Sequence, residues 1–112
     1  MLARSLRTSQ REIIAIAYRG SSGELMGLRH VPGARQWCAL PFRAIIRDVL
    51  LFDAQQVLLA HNHPNGACYP SEPDLTYTRR LALCLDAVGV LLDDHLIVTR
   101  DALFSCAAAG LL

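Results

Sequence analysis

Hydrophobic runs alternate with turn residues through the first third of the chain. Residues 12–18 (EIIAIAY) form an isoleucine-rich run, and residues 24–31 form a second run after the glycine- and serine-containing segment 20–23. Two such runs joined by a turn predict a β-hairpin, which Pro32 and Gly33 end. A short edge segment is also predicted over residues 37–40.

An amphipathic pattern follows Pro41, a residue that the first turn of a helix tolerates. Apolar residues recur there at the i, i+3, i+4, i+7, i+8 spacing of one helix face: Phe42, Ile45, Ile46, Val49 and Leu50. This spacing predicts a helix whose apolar stripe packs on the core. The opposite face is expected to carry Arg43, Arg47 and Asp48.

The second half of the chain alternates between strand and helix patterns. Residues 56–61 (QVLLAH) predict a central strand, and residues 62–72 predict a loop. Pro73 begins a predicted helix that Gly89 ends. Residues 90–92 and 95–99 predict either one strand or a broken pair, and a short last helix is expected from Asp101 to near Gly110. This order favours an α/β fold, with a mixed β-sheet flanked by two or three helices.

Composition narrows the class of protein. Of the 112 residues, 53% are hydrophobic and 19% are charged, which supports one domain over residues 11–112 behind a flexible polar arm at residues 1–10. The net charge of +1 gives no strong attraction to nucleic acid or to an anionic membrane. The four cysteines form no CxxC pair, and no apolar stretch reaches the roughly 18 residues that span a bilayer. We therefore expect a soluble, cytoplasmic protein, and its high apolar content favours a homodimer.

Three side chains at or after the end of the predicted central strand have the types and spacing of metal ligands. His61 and His63 lie two residues apart, so both can point to the same side at the end of a strand. Asp74 follows in the first turn of the next helix. Two histidines and one carboxylate are a ligand set that zinc uses in catalysis, with the fourth position left for water. On its own, the histidine pair is also compatible with ordinary polar loop residues.

Ser71 has two compatible interpretations. Ser71-x-x-Asp74 at a helix start has the pattern of a capping box, in which the serine side chain accepts a backbone N–H. A hydroxyl has one donor and two acceptor sites, so Ser71 could also donate a proton to a developing oxyanion.

The complete pattern resembles a known family. His61-x-His63, seven residues, then Ser71-x-x-Asp74 resembles the JAMM/MPN metalloprotease signature, and HNHPNGACYPSEPDLTYTRRLA with the later DDHLIVTRDALFS resembles the JAB domain of the RadC family. The resemblance implies a cytidine-deaminase-like α/β fold and a Zn²⁺ ion held by His61, His63 and Asp74. It also implies hydrolysis of a peptide or isopeptide bond in a peptide or protein substrate.

The resemblance also assigns a general base. Glu12 matches the glutamate that activates water in JAMM enzymes, where it takes a proton and delivers it to the leaving amine. A solvated charge at a strand end is the other interpretation of Glu12, and Glu24 is the substitute candidate for the base. Cys68 is either an additional ligand or an ordinary loop thiol, and His95 is expected to be a structural, hydrogen-bonded residue. The sequence departs from the family at Arg29, near which RadC proteins carry an acid.

Two functional hypotheses therefore remain open. The first is a zinc hydrolase of the JAMM type, with Glu12 and Ser71 as catalytic residues. The second is a non-catalytic interaction domain associated with DNA repair, as the RadC name implies. A His-Asn-His nuclease is disfavoured because such nucleases disperse these residues over a ββα unit. A nucleoside deaminase is disfavoured because its H-x-E and P-C-x-x-C signature is missing.

Overall fold

The computed structural model describes residues 12–32 and 41–112, which form five strands and two helices. In chain order these elements are β1 (Ile13–Arg19), β2 (Leu25–Pro32), α1 (Phe42–Phe52), β3 (Gln56–Asn62), α2 (Glu72–Ala87), β4 (Leu91–Val98) and β5 (Leu103–Ser105). The strands form one sheet in the order β2-β1-β3-β4-β5. Only β3 and β4 are parallel, so the sheet is mixed, as predicted. The arm at residues 1–10 and the edge segment at 37–40 lie outside the described residues.

Both helices contribute to the main hydrophobic core on one face of the sheet. Alternate residues of β1 and β3 point into it, because successive side chains of a strand face opposite sides. The buried members from the sheet and the two helices include Ile14, Ile16, Tyr18, Ile45, Val49, Val57, Leu59, Leu81 and Leu85. Full burial of one such aliphatic side chain contributes about 1.5–3 kcal/mol. The predicted central position of the QVLLAH strand is confirmed, since β3 lies between β1 and β4.

Helix α1 forms where predicted, but two residues of its predicted pattern are wrong. Leu50 is 69% exposed, and Asp48 is buried at 2% exposure. The face toward the core is spaced as Ile45, Asp48, Val49 and Phe52, which is again i, i+3, i+4, i+7. Leu50 lies five residues after Ile45, about 140° around the helix from it.

The burial of Asp48 is explained by its two partners. The Tyr18 hydroxyl of β1 donates to its carboxylate at 2.7 Å, and the Arg29 guanidinium of β2 donates at 2.6 Å. The hydrogen bond from Arg29 is the main reason that the pKa of Asp48 lies below its usual range. Arg29, the position where the sequence departs from the family pattern, therefore ties β2 to α1.

The C-terminal region differs from the prediction. The two segments predicted at residues 90–92 and 95–99 form one strand, β4 (Leu91–Val98), whose register to β3 shifts between Val57 and Leu58. The predicted last helix is wrong, because β5 pairs antiparallel with the free edge of β4. Asp94 stabilises β5 and the segment after it. Its carboxylate accepts hydrogen bonds from the Ser105 hydroxyl at 2.5 Å and from the Ala107 N–H at 2.9 Å. Strand pairing and these side-chain bonds outweigh the helix propensity of the alanines.

Within the described ranges, neither helix has the length and apolar character needed to cross a membrane.

Candidate metal centre

The site is built where three elements meet at one end of the sheet. His61 is the sixth residue of β3 and is fully buried, and His63 follows the end of this strand. Strand β1 runs antiparallel to β3 and pairs Ile14 with His61, which brings the start of β1 and Glu12 to the same end. Helix α2 begins nearby and carries Asp74 in its first turn. The topology therefore gathers residues from distant parts of the chain.

The two histidines and Asp74 converge on one point. His61 Nε2 lies 2.8 Å from His63 Nε2, and Asp74 Oδ2 lies 3.5 Å from the first nitrogen and 3.4 Å from the second. Ligands about 2.0–2.1 Å from a tetrahedral zinc ion lie about 3.3 Å from one another. The triangle of these three atoms thus has nearly the dimensions of one face of a zinc coordination sphere.

The donor set also fits a cation chemically. A carboxylate and the unprotonated nitrogen of a neutral imidazole are electron-pair donors, so three such atoms in contact repel unless a proton or metal ion lies between them. In the protein alone a proton can take this place. The hydrogen bond with Asp74 is the main reason that the pKa of His63 is raised above its usual range.

Asp74 and Ser71 form a reciprocal capping box at the start of α2. The Ser71 N–H donates to Asp74 Oδ2 at 2.8 Å, and the Asp74 N–H donates to Ser71 Oγ at 3.1 Å. The oxygen that faces the histidines is therefore also held by the helix start. Ser71 Oγ accepts in this bond, which leaves its own proton for another partner. Both interpretations of Ser71 are compatible with this arrangement.

Glu12 lies beside the histidines. One of its carboxylate oxygens and one ring nitrogen of each of His61 and His63 all lie within 4.8 Å of one another. Glu12 thus lies close enough to complete a metal site or to exchange a proton with a water next to one. The start of β1 is held by Asn62, whose side-chain oxygen accepts the Ile13 N–H at 2.6 Å.

The site opens into a cleft of about 490 Å³. Its walls include the three polar side chains Glu12, Ser71 and Asp74 together with the loop residues His63, Pro64, Asn65, Ala67 and Tyr69. Two of the three candidate ligands, His63 and Asp74, thus line a space that a substrate could enter.

The remaining candidates occupy other positions. Glu24 lies beyond the opposite end of β1, so a strand length of about 20 Å separates it from the site. Its carboxylate accepts the Ser22 N–H at 3.2 Å. Cys68 directs its thiol to a main-chain acceptor, the Ile97 carbonyl, at 3.6 Å. Glu24 is therefore a poor substitute for Glu12.

His95 is buried and hydrogen-bonded, in agreement with its structural interpretation. Its Nε2 lies 2.7 Å from His61 Nδ1, and its Nδ1 lies 2.6 Å from the Thr78 hydroxyl. Burial lowers the pKa of His95 to about 3, so the ring is neutral at physiological pH. Whereas Nδ1 of His61 contacts His95, Nδ1 of His63 lies 2.7 Å from the Ala67 carbonyl oxygen.

Similarity to known proteins identifies the family of this chain. The family model of the RadC-like JAB domain matches residues 1–111. This chain belongs to that family. It is 44% identical over 70 residues to the UPF0758 protein YfjY of Escherichia coli K12, a match covering 62% of this chain and 44% of the relative. It is 33% identical over 112 residues to a UPF0758 protein of Marinomonas sp. MWYL1, covering 99% of this chain and 50% of the relative.

A UPF0758 protein of Bordetella petrii is 43% identical over 70 residues, covering 62% of this chain and 31% of the relative. The chain thus spans half or less of the length of these three relatives. Membership of the RadC-like JAB family confirms the resemblance stated from the sequence. The mixed five-stranded sheet with two helices is consistent with the JAB/MPN fold that this resemblance implied.

Two residues of the candidate site were not identified from the sequence. Thr78 contacts His95, and Asn62 anchors the backbone next to Glu12. The spacing of Thr78, four residues after Asp74 on one helix, places the two on the same face and was an available signal. Asn62 gave no such signal, because its partner is a backbone group brought close by strand pairing.

Proposed function

We propose that this domain is a zinc-dependent hydrolase that cleaves a peptide or isopeptide bond. The observation that carries the proposal is the convergence of His61, His63 and Asp74, with Glu12 beside them in an open cleft. His61, His63 and Asp74 would hold the ion, because their three donor atoms have the spacing of zinc ligands. When bound, zinc supplies Lewis acidity, which polarises a carbonyl group and acidifies water.

The protein's own side chains perform the proton transfers. The Glu12 carboxylate accepts a proton from the attacking water at one of its oxygens and delivers it to the nitrogen of the leaving amine. The Ser71 hydroxyl donates a hydrogen bond to the substrate carbonyl oxygen as negative charge develops there. Ser71 can perform this role while its oxygen accepts the Asp74 N–H.

Asp74 is assigned as a ligand because its Oδ2 lies within 3.5 Å of both histidine nitrogens. Glu12 is assigned as the base because it matches the base of the JAMM signature. One of its carboxylate oxygens lies within 4.8 Å of a ring nitrogen of each histidine, close enough to reach a water beside them.

Metal analysis of the purified protein tests the proposal. Wild type should contain about one equivalent of zinc, and His63→Ala should lose it, because a three-ligand site would have only two ligands left. His30→Ala is the matched control, since His30 is an exposed histidine of β2. Folded wild type that takes up no zinc when supplied with it would contradict the proposal. Zinc binding without cleavage of any peptide or isopeptide substrate would favour the interaction-domain alternative.

A further inference from the structure

The side chains behind His61 form a continuous hydrogen-bonded chain to the backbone of Asp74. His61 Nδ1 lies 2.7 Å from His95 Nε2, and His95 Nδ1 lies 2.6 Å from Thr78 Oγ1. Thr78 Oγ1 lies 2.6 Å from the Asp74 carbonyl oxygen. His61, His95 and Thr78 are all at most 1% exposed, so the chain is shielded from water along its whole length.

We propose that Thr78 and His95 are positioning residues that fix the ring tautomer of His61, so that its Nε2 lone pair faces the metal centre. The inference rests on the metal centre of the proposed function but not on hydrolysis. It concerns groups that do not themselves face the cleft and that act only through His61 and Asp74.

The direction of every proton in the chain follows from the Asp74 end. A carbonyl oxygen can only accept, so the single hydroxyl proton of Thr78 is donated to Asp74. Thr78 Oγ1 must then accept from His95, which places the His95 proton on Nδ1. A neutral imidazole carries one N–H, so His95 Nε2 accepts, and the proton between the two rings belongs to His61 Nδ1. The remaining nitrogen of His61, Nε2, is therefore left as a lone pair.

The consequence for the site is that a ligand atom is prepared before any ion arrives. The opposite tautomer of His61 would direct an N–H at the incoming cation and would have to rearrange inside the core. The chain also joins two ligands, since it begins at the ring of His61 and ends at the main chain of Asp74. Thr78 lies one helical turn after Asp74, so helix α2 fixes both ends of this last link.

His63 provides an internal comparison. Its Nδ1 is held by a single main-chain acceptor, the Ala67 carbonyl in the loop, instead of by side chains. A backbone carbonyl oxygen always accepts a hydrogen bond. His95 Nε2 can accept one only when the proton of its ring is on Nδ1, where Thr78 holds it. Of the two histidine ligands, Thr78 and His95 therefore act on His61 and not on His63.

The first test uses the metal-free wild type. Long-range ¹H–¹⁵N NMR of the histidine rings, recorded well above the ordinary imidazole pKa of about 6.5, reports which nitrogen carries the proton. His61 and His95 should both be protonated at Nδ1. A proton on Nε2 of His95 in the folded protein would overturn the inference, and this readout does not depend on any hydrolytic activity.

The second test measures zinc affinity by competition with a chromophoric chelator. Thr78→Val keeps the side-chain shape but removes the hydroxyl, and it should weaken zinc binding about 10–100-fold while producing a mixture of His61 tautomers. Thr78→Ser restores the hydroxyl and should recover the affinity. Thr76→Val is the matched control, because Thr76 is an exposed residue of the same helix.

A second variant keeps the inference testable if Thr78→Val fails to fold. His95→Gln offers an oxygen acceptor and an amide donor in the same region, whereas His95→Phe offers neither. His95→Phe should show the same loss of affinity as Thr78→Val, and His95→Gln a smaller one. Wild-type affinity and a single His61 tautomer in folded Thr78→Val or His95→Phe would overturn the proposal. A wild type that binds zinc but cleaves nothing would contradict the hydrolase and leave this result standing.

Discussion

In the proposed function, each residue of the site has one principal task, which depends on the element that carries it. His61 and His63 sit at the end of β3, Asp74 sits in the first turn of α2, and Glu12 precedes β1. The side chains of the proposed ligands are at most 14% exposed, and the cleft that Glu12 and Ser71 line also reaches His63 and Asp74. Ion binding is thus assigned to the three proposed ligands and proton transfer to Glu12.

Substitution of Glu12 separates these two tasks. Glu12→Gln keeps the size of the side chain but removes the basic carboxylate, so zinc content should stay at the wild-type level. The rate of hydrolysis should fall about 10²–10⁴-fold, the contribution of a positioned general base. Zinc analysis and single-turnover cleavage of a peptide substrate measure the two effects. As a control, Glu24→Gln at the opposite end of β1 should change neither the zinc content nor the rate of hydrolysis. Loss of zinc in Glu12→Gln would contradict the assignment and indicate that Glu12 is a ligand.

Ion pairing between elements explains a second residue-level feature. Asp48 of α1 accepts hydrogen bonds from Tyr18 of β1 and Arg29 of β2, and its pKa is lowered chiefly by Arg29. A group whose pKa is lower in the folded protein stabilises it above the unfolded-state pKa, about 3.9 for aspartate. That contribution disappears as the pH falls through the folded-state pKa.

Replacing Asp48 should therefore remove a pH-dependent part of stability. Asp48→Asn keeps an acceptor for Tyr18 but loses the charge, and it should lower the free energy of unfolding by about 1–3 kcal/mol at neutral pH. The effect is modest because the Arg29 side chain is 40% exposed and can be hydrated. Chemical denaturation of both proteins from neutral pH to below pH 4 measures it. The difference between them should shrink at the acid end, and a constant difference would contradict the assignment.

At the scale of elements, the contact between β1 and β3 positions the proposed base. The Asn62 side chain accepts the N–H of Ile13, the residue after Glu12, and so ties the start of β1 to the strand that carries the ligands. The main-chain ladder between these strands continues from Ile14 paired with His61. Asn62 thereby limits where the Glu12 backbone can lie.

Loss of this anchor should affect the base more than the metal. In Asn62→Ala the Ile13 N–H loses its side-chain partner, which costs about 1–3 kcal/mol where the group stays shielded from water. Hydrogen exchange at the Ile13 amide should accelerate and hydrolysis should slow, while zinc content stays unchanged. Gln55→Ala, at an exposed amide before the opposite end of β3, serves as the control. Unaltered exchange at Ile13 would show that the ladder alone holds the start of β1.

Binding of the proposed zinc ion would be coupled to folding of the whole molecule, because the proposed ligands come from β3, the loop after it and α2. An ion that binds only the folded state stabilises it by about 2.7 kcal/mol at a free concentration 100 times the dissociation constant. For a domain of this size, we expect zinc to raise the melting temperature by roughly 10 °C and a chelator to reverse the shift. Differential scanning calorimetry of wild type and His63→Ala measures this, and equal shifts in both would place the stabilising ion elsewhere.

The sequence predicted the elements whose own pattern is strong. The isoleucine run of β1, the turn before β2, the QVLLAH strand and the helix that starts near Pro73 all formed within a residue or two of prediction. The sequence-based prediction was wrong where contacts with distant residues determine the local structure. The alanine-containing tail has helix propensity, yet the open edge of β4 and the carboxylate of Asp94 take it into β5 and a turn. The charged residue Asp48 was predicted to be exposed, yet it is buried because Tyr18 and Arg29 donate hydrogen bonds to its carboxylate.

The sequence by itself determined the α/β class, the family and the candidate ligands, because hydrophobic periodicity and motif spacing are local properties of the chain. Only the tertiary structure brought Glu12 next to His61 and aligned Thr78 and His95 behind it. Hydrogen-bond direction and distances of a few ångströms depend on strand register and helix rotation. These are set by the packing of the whole core, which no local pattern of residues contains.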